Sequence, residues 1–128
     1  MPSKIRQHVL AMLAVPVAAL PVILAPPAQA SIRYCTDPHT WGRVCFQPDG
    51  EILYVEDNEA DGHHVRGFAW SESVEGTPAT YECKNTKGAG TVRECNFSWP
   101  ERHRIYFFAA LYEGDKRLAS SDSKSAYA

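Results

Sequence analysis

His103-Arg104-Ile105-Tyr106-Phe107-Phe108-Ala109-Ala110-Leu111-Tyr112-Glu113 reads as one long β-strand. Successive side chains of an extended chain point to opposite faces. Ile105, Phe107, Ala109 and Leu111 therefore share one face, and Tyr106, Phe108, Ala110 and Tyr112 the other. Both faces are apolar, which predicts a central strand covered on both sides. Beyond residue 30 no helical period of apolar residues competes with this reading.

The flanking sequence supplies shorter strands of the same kind. Val65 to Glu72 alternates, with Val65, Gly67 and Ala69 small on one face and Arg66, Phe68 and Trp70 large on the other. Arg43 to Gln47 and Glu51 to Asp57 make two more strands around Pro48-Asp49-Gly50, where proline presets φ and glycine accepts a positive one. Ala79 to Lys84 and Thr91 to Trp99 flank the Gly-rich turn Asn85 to Gly90, a pattern that predicts a hairpin. Glu113-Gly114-Asp115 turns the chain into an edge strand, Lys116 to Ser121, and the Ser/Asp/Lys/Ala tail is expected to fray. Short strands with turn signals at regular spacing predict an all-β fold, a small antiparallel β-sandwich of immunoglobulin-like size.

The start of the chain has a different character. Lys4, Arg6 and His8 precede the apolar run Val9 to Leu24, and Ala28-Gln29-Ala30 supplies a small-x-small cleavage pattern. Residues 1–30 are thus expected to be a signal peptide, 31–121 the sandwich domain and 122–128 a flexible tail. The apolar run is shorter than the ~20 residues a spanning helix needs and carries Pro16 and Pro21, so no membrane association is expected after cleavage. The expected location is extracellular. Cys35, Cys45, Cys83 and Cys95 all follow residue 30, and an even count in an exported chain reads as two disulfides. Local pairs, Cys35–Cys45 and Cys83–Cys95, are favoured because each brackets turn-forming residues; the spacings do not match structural zinc sites. The whole chain carries a net charge of −2, and removing Lys4 and Arg6 makes it more acidic. With no run of basic residues, nucleic acid is not an expected partner.

One connection is dense in reactive side chains: Val55-Glu56-Asp57-Asn58-Glu59-Ala60-Asp61-Gly62-His63-His64-Val65. Asp57, Glu59, Asp61 and Gly62 match the opening half of a calcium loop, but the twelfth position is Phe68, which offers no carboxylate. The opposed reading is a solvated turn in which Asp57 and Asp61 accept backbone amides and Gly62 is left-handed. His63 and His64 are adjacent in an extended segment and cannot readily chelate one metal together. No metal or other cofactor is expected, and the turn, with His63, is kept as a possible ligand site.

The pattern Tyr54-x-x-Asp57-x-x-Ala60-Asp61-Gly62-His63, with Lys87-Gly88-Ala89-Gly90 and Arg104-Ile105-Tyr106 after it, resembles small secreted β-sandwich proteins of actinomycete bacteria. The resemblance spans about Arg43 to Tyr112 and implies export and a disulfide-bonded sandwich; it implies no activity. The β-sandwich amylase inhibitors share the size and two disulfides, but their Trp-Arg-Tyr trio does not occur here.

All three Trp, six Tyr and five Phe lie beyond residue 30. Trp41, Trp70 and Trp99 offer a possible aromatic binding surface, weighed against the demand of a small core for aromatic burial. Catalytic signatures such as Gly-x-Ser-x-Gly or His-Glu-x-x-His do not occur, so no enzyme is expected. The expected function is extracellular binding through loops, to an unidentified protein or polysaccharide. Alternatives are a carbohydrate or cell-wall module, marked by a coplanar row of exposed Trp and Tyr, and a hydrolase inhibitor using Ser73 to Pro78.

Overall fold

The computed structural model describes residues 31–72 and 79–128, together with 14, 16 and 18–26. The expected cleavage site after Ala30 and the loop Ser73 to Pro78 lie outside the described residues. Nine strands follow in order: β1 (Tyr34–Cys35), β2 (Gly42–Gln47), β3 (Ile52–Asp57), β4 (His64–Ser71), β5 (Thr80–Asn85), β6 (Thr91–Asn96), β7 (Arg104–Glu113), β8 (Lys116–Ser120) and β9 (Lys124–Tyr127). Every pairing is antiparallel. One sheet has the order β1-β2-β3-β6 and the other β5-β4-β7-β8, with β9 also on β7. The fold is therefore the all-β sandwich the sequence predicts.

Period-two alternation builds the core. Val44 and Phe46 from β2, Leu53 and Val55 from β3, Val65 and Ala69 from β4, and Ile105, Phe107 and Ala109 from β7 meet between the sheets and are fully buried. Gly67 of β4 sets how closely the layers approach, because a Cβ there would lie 2.8 Å from Val55 Cγ2 and 3.0 Å from Leu53 Cδ2. Trp41 and Trp99 join this cluster, and Trp99 packs edge-on to Phe46 with ring centroids 5.7 Å apart. Tyr34, one residue before Cys35, is exposed.

Both expected disulfides form. Cys35–Cys45 joins directly opposed residues of β1 and β2. Cys83–Cys95 has a different setting from the predicted hairpin: β5 and β6 belong to different sheets and share no ladder. The Asn85 to Gly90 connection crosses between layers, and the disulfide then ties one edge strand of each sheet through the interior. Buried Asn85 supports that crossing by donating Nδ2 to the carbonyls of Val55 (3.0 Å) and Thr91 (3.1 Å) and accepting the Lys87 amide at Oδ1 (3.0 Å).

The tail also departs from expectation. Instead of fraying, Lys124–Tyr127 forms β9 and pairs with Arg104–Phe107, while β8 pairs with Ala110–Glu113 on the same side of β7. Ala126 faces the core, and Lys124 Nζ lies 3.1 Å from Asp37 Oδ1. β7 is long enough to need two partners end to end, which supplies the physical reason the tail is ordered. No helix among the described residues is long and apolar enough to cross a membrane.

Candidate functional site

Two regions collect polar and aromatic chemistry. The first is the β3–β4 connection. Gly62 is left-handed, with φ 75°, and Asp61 Oδ1 accepts the His63 amide at 2.9 Å. That amide is the main cause holding the Asp61 carboxyl below its ordinary value, with the nearby His63 ring adding to it. Asp57 Oδ1 accepts the Glu59 amide at 3.3 Å, so both aspartates serve as turn acceptors. Asp57 is not solvated, however: it is 2% exposed, on the inward-facing side of β3, and its Oδ2 has no described partner. Burial pushes this carboxyl above its usual range.

The connection forms one wall of an open concavity of about 520 Å³, lined among others by Asp57, Glu59, His63, Thr86 and Gly88. Its carboxylates turn to different partners. His63 Nδ1 approaches Asp61 Oδ2 at 3.3 Å and its Nε2 approaches Glu113 Oε2 at 3.9 Å, while Asp57 points into the sandwich. Among the described residues no group of three or more His, Cys, Asp or Glu converges on a point where a metal ion would sit. His64 faces the other way, accepting from Arg66 Nε at Nε2 (2.9 Å) and lying over Tyr112. Its burial, then the charges of Arg66 and Lys84, lower its pKa, so the ring is neutral at pH 7.

The second region is the outer face of the five-stranded sheet. Alternation along β4 and β7 sends Phe68, Trp70, Tyr106 and Phe108 outward, and no further layer of described residues covers them. Register puts Phe68 opposite Phe108 and Trp70 opposite Tyr106. These cross-strand neighbours stack, with centroids 5.0 Å and 5.6 Å apart and ring planes within 17° and 14°. The two pairs meet at a steep angle, since Trp70 and Phe108 are inclined at 67°. All four side chains keep part of their surface exposed. The second apolar face of β7, read from sequence as covered, is thus an aromatic surface at Tyr106 and Phe108, whereas Ala110 and Tyr112 on the same face are buried, Tyr112 against Arg66 and Arg117.

Three arginines border it in different ways. Arg66 is buried and satisfied, donating to the Gly114 carbonyl at 2.7 Å and Asp115 at 3.0 Å, with Glu82 at 3.4 Å. Its guanidinium lies 4.0 Å from the Tyr112 ring centroid. Arg117 lies 5.2 Å from the Phe108 ring and 5.4 Å from Phe68, and donates to the Tyr112 hydroxyl at 3.2 Å. Arg104 donates to the Tyr127 hydroxyl at 2.6 Å. Neither Arg104 nor Arg117 forms an ion pair with a described carboxylate.

The expected tryptophan trio is not brought together. Trp41 and Trp99, 8% and 7% exposed, are core residues, and Trp70 alone faces outward. The partners of Trp70 on this surface, Tyr106, Phe108 and Phe68, were hidden in sequence because two apolar faces look the same whether a second layer covers them or not. The arginines at its rim are the signal that separates the cases, since an apolar layer has no use for unpaired cations. Elsewhere, Ser71 Oγ lies 3.2 Å from His103 Nδ1, without a described carboxylate orienting the ring.

The fold and surface define a disulfide-stapled antiparallel β-sandwich with an aromatic, arginine-rimmed sheet face. No protein family, curated protein or solved structure matches the chain.

Proposed function

We propose that the chain is an exported, non-enzymatic binding protein that meets its extracellular partner through the outer face of the five-stranded sheet. The observation that carries this reading is the contiguous aromatic surface of Phe68, Trp70, Tyr106 and Phe108, partly exposed on two central strands. Folded monomers rarely expose contiguous apolar patches unless they bind something there. Export is supported by the basic start, apolar run and Ala28-Gln29-Ala30, together with two disulfides, which persist in oxidising compartments. The resemblance to small secreted β-sandwich proteins of actinomycete bacteria favours the same location. A polysaccharide and a protein are the two partner classes in view, and loops around Asp57 to His64 are the alternative contact surface.

A binding screen across immobilised polysaccharides and extracellular extracts, with wild type and Trp70→Ala/Tyr106→Ala side by side, tests the reading. Retention of wild type that falls at least tenfold in the double variant supports it. Equal retention of a variant with unchanged melting temperature would move the function to the loops.

A further inference from the structure

β4 opens on a contact that the aromatic surface does not use. His64 Nε2 accepts from Arg66 Nε at 2.9 Å. A guanidinium keeps its protons at every pH a folded protein meets, so the ring nitrogen it donates to must be bare. Histidine is also the side chain whose charge ordinarily changes between about pH 5 and 8. We infer that His64 is an acid-released latch on the β3–β4 connection, its protonation turning the ring off Tyr112 and reshaping the concavity beside it. The inference stands whether or not the sheet face binds a partner.

Protonation sets one N–H against another at hydrogen-bond distance and a second positive charge beside the first. Burial of the ring disfavours its charged form most, and Arg66 and then Lys84 on β5 add like charge. Two carboxyls act the other way, Asp115 on the β7–β8 turn and Asp57 on β3. Asp115 is already engaged by Arg66 at 3.0 Å, and Asp57 is buried and holds its own proton above the usual range. From the connection itself, His63 faces Asp61 and Glu113.

Of the two partners, His64 is the one free to move. Arg66 is 7% exposed, and its guanidinium is held from other directions by the Gly114 carbonyl, Asp115, Glu82 and the Tyr112 ring. The His64 ring is half-buried. Among the described residues it has that single hydrogen bond, beside its stacking on Tyr112 with centroids 6.0 Å apart. It stands at the terminal pair of the β4–β7 ladder, two residues after left-handed Gly62, so a departing ring disturbs only the last rung. His64 lines the concavity together with Thr86 and Gly88, and its departure alters that wall.

An NMR titration of the protein from about pH 7.5 down to about pH 4.5 tests this. The His64 ring, the Arg66 Nε–H and the amides of Asp61 to Val65 should move with one midpoint, below 6.5. Across that step the Arg66 Nε–H should lose at least tenfold of its protection against solvent exchange. His64→Gln keeps an acceptor that cannot take a proton, so its Arg66 Nε–H should stay protected throughout. His63→Gln should leave the wild-type step at Arg66 in place, which separates the two neighbouring rings. A His64 midpoint at or above 6.5, an Arg66 Nε–H that ignores it, or the same step surviving in His64→Gln would overturn the inference.

Discussion

Asp57 shows how one residue can read one way in sequence and act another way in the fold. Its place in an acidic run suggests a solvated ligand, yet β3 turns it inward and leaves Oδ2 buried without a described partner. Because burial raises its folded pKa above the ordinary 3.8, the folded state holds the proton more tightly than the unfolded chain. Its contribution to stability is therefore full below the ordinary carboxylate range and is lost as pH rises through the higher folded value. Asp57→Asn should melt with wild type near pH 3 and above it at pH 7. Thermal melts across that range check it, and a variant less stable at pH 7 would show that the charge is compensated. Gly67 makes the opposite kind of prediction. A methyl there meets Val55 and Leu53 across the interlayer gap, so Gly67→Ala should cost roughly 1–3 kcal/mol in denaturant unfolding.

Strand existence was legible at the level of elements, because alternation and turn chemistry agreed from Arg43 to Ser120. Partnership was not. β5 and β6 look like a hairpin because a Gly-rich turn joins them and two cysteines face each other, but the Asn85 side chain redirects the connection between sheets. β9 was missed because Lys124-Ser125-Ala126-Tyr127 has little apolar pattern of its own and is ordered by the free edge of β7. Deleting the chain after Asp122 should therefore lower the melting temperature and speed amide exchange at Arg104 to Phe107, leaving Ala110 to Glu113 protected by β8. Exchange measured by NMR or mass spectrometry reports this directly, and unchanged protection at Arg104 to Phe107 would contradict the pairing.

For the whole molecule, two disulfides of similar span have different mechanical places. Their sequence separations, 10 and 12, give nearly equal loop-closure terms of roughly 3 kcal/mol each. Cys83–Cys95 also links the two layers through a fully buried Cys83, so Cys83→Ala/Cys95→Ala should destabilise more than Cys35→Ala/Cys45→Ala in calorimetry. The same layered build decides where binding is read. One apolar face of β7 makes the core, and the other makes a surface at Tyr106 and Phe108, a distinction invisible until the number of layers is known. Trp70 is the one tryptophan on that surface, and Trp41 and Trp99 are internal reporters of an undisturbed core. The most direct measurement is an NMR titration of the folded domain with soluble fragments of a polysaccharide that the binding screen retains, following the three indole N–H signals and the backbone amides. The Trp70 indole and the amides of β4 and β7 should shift together while those of Trp41 and Trp99 stay in place. Shifts confined to Asp57 to His64 and Thr86 to Gly90, with Trp70 silent, would contradict the account.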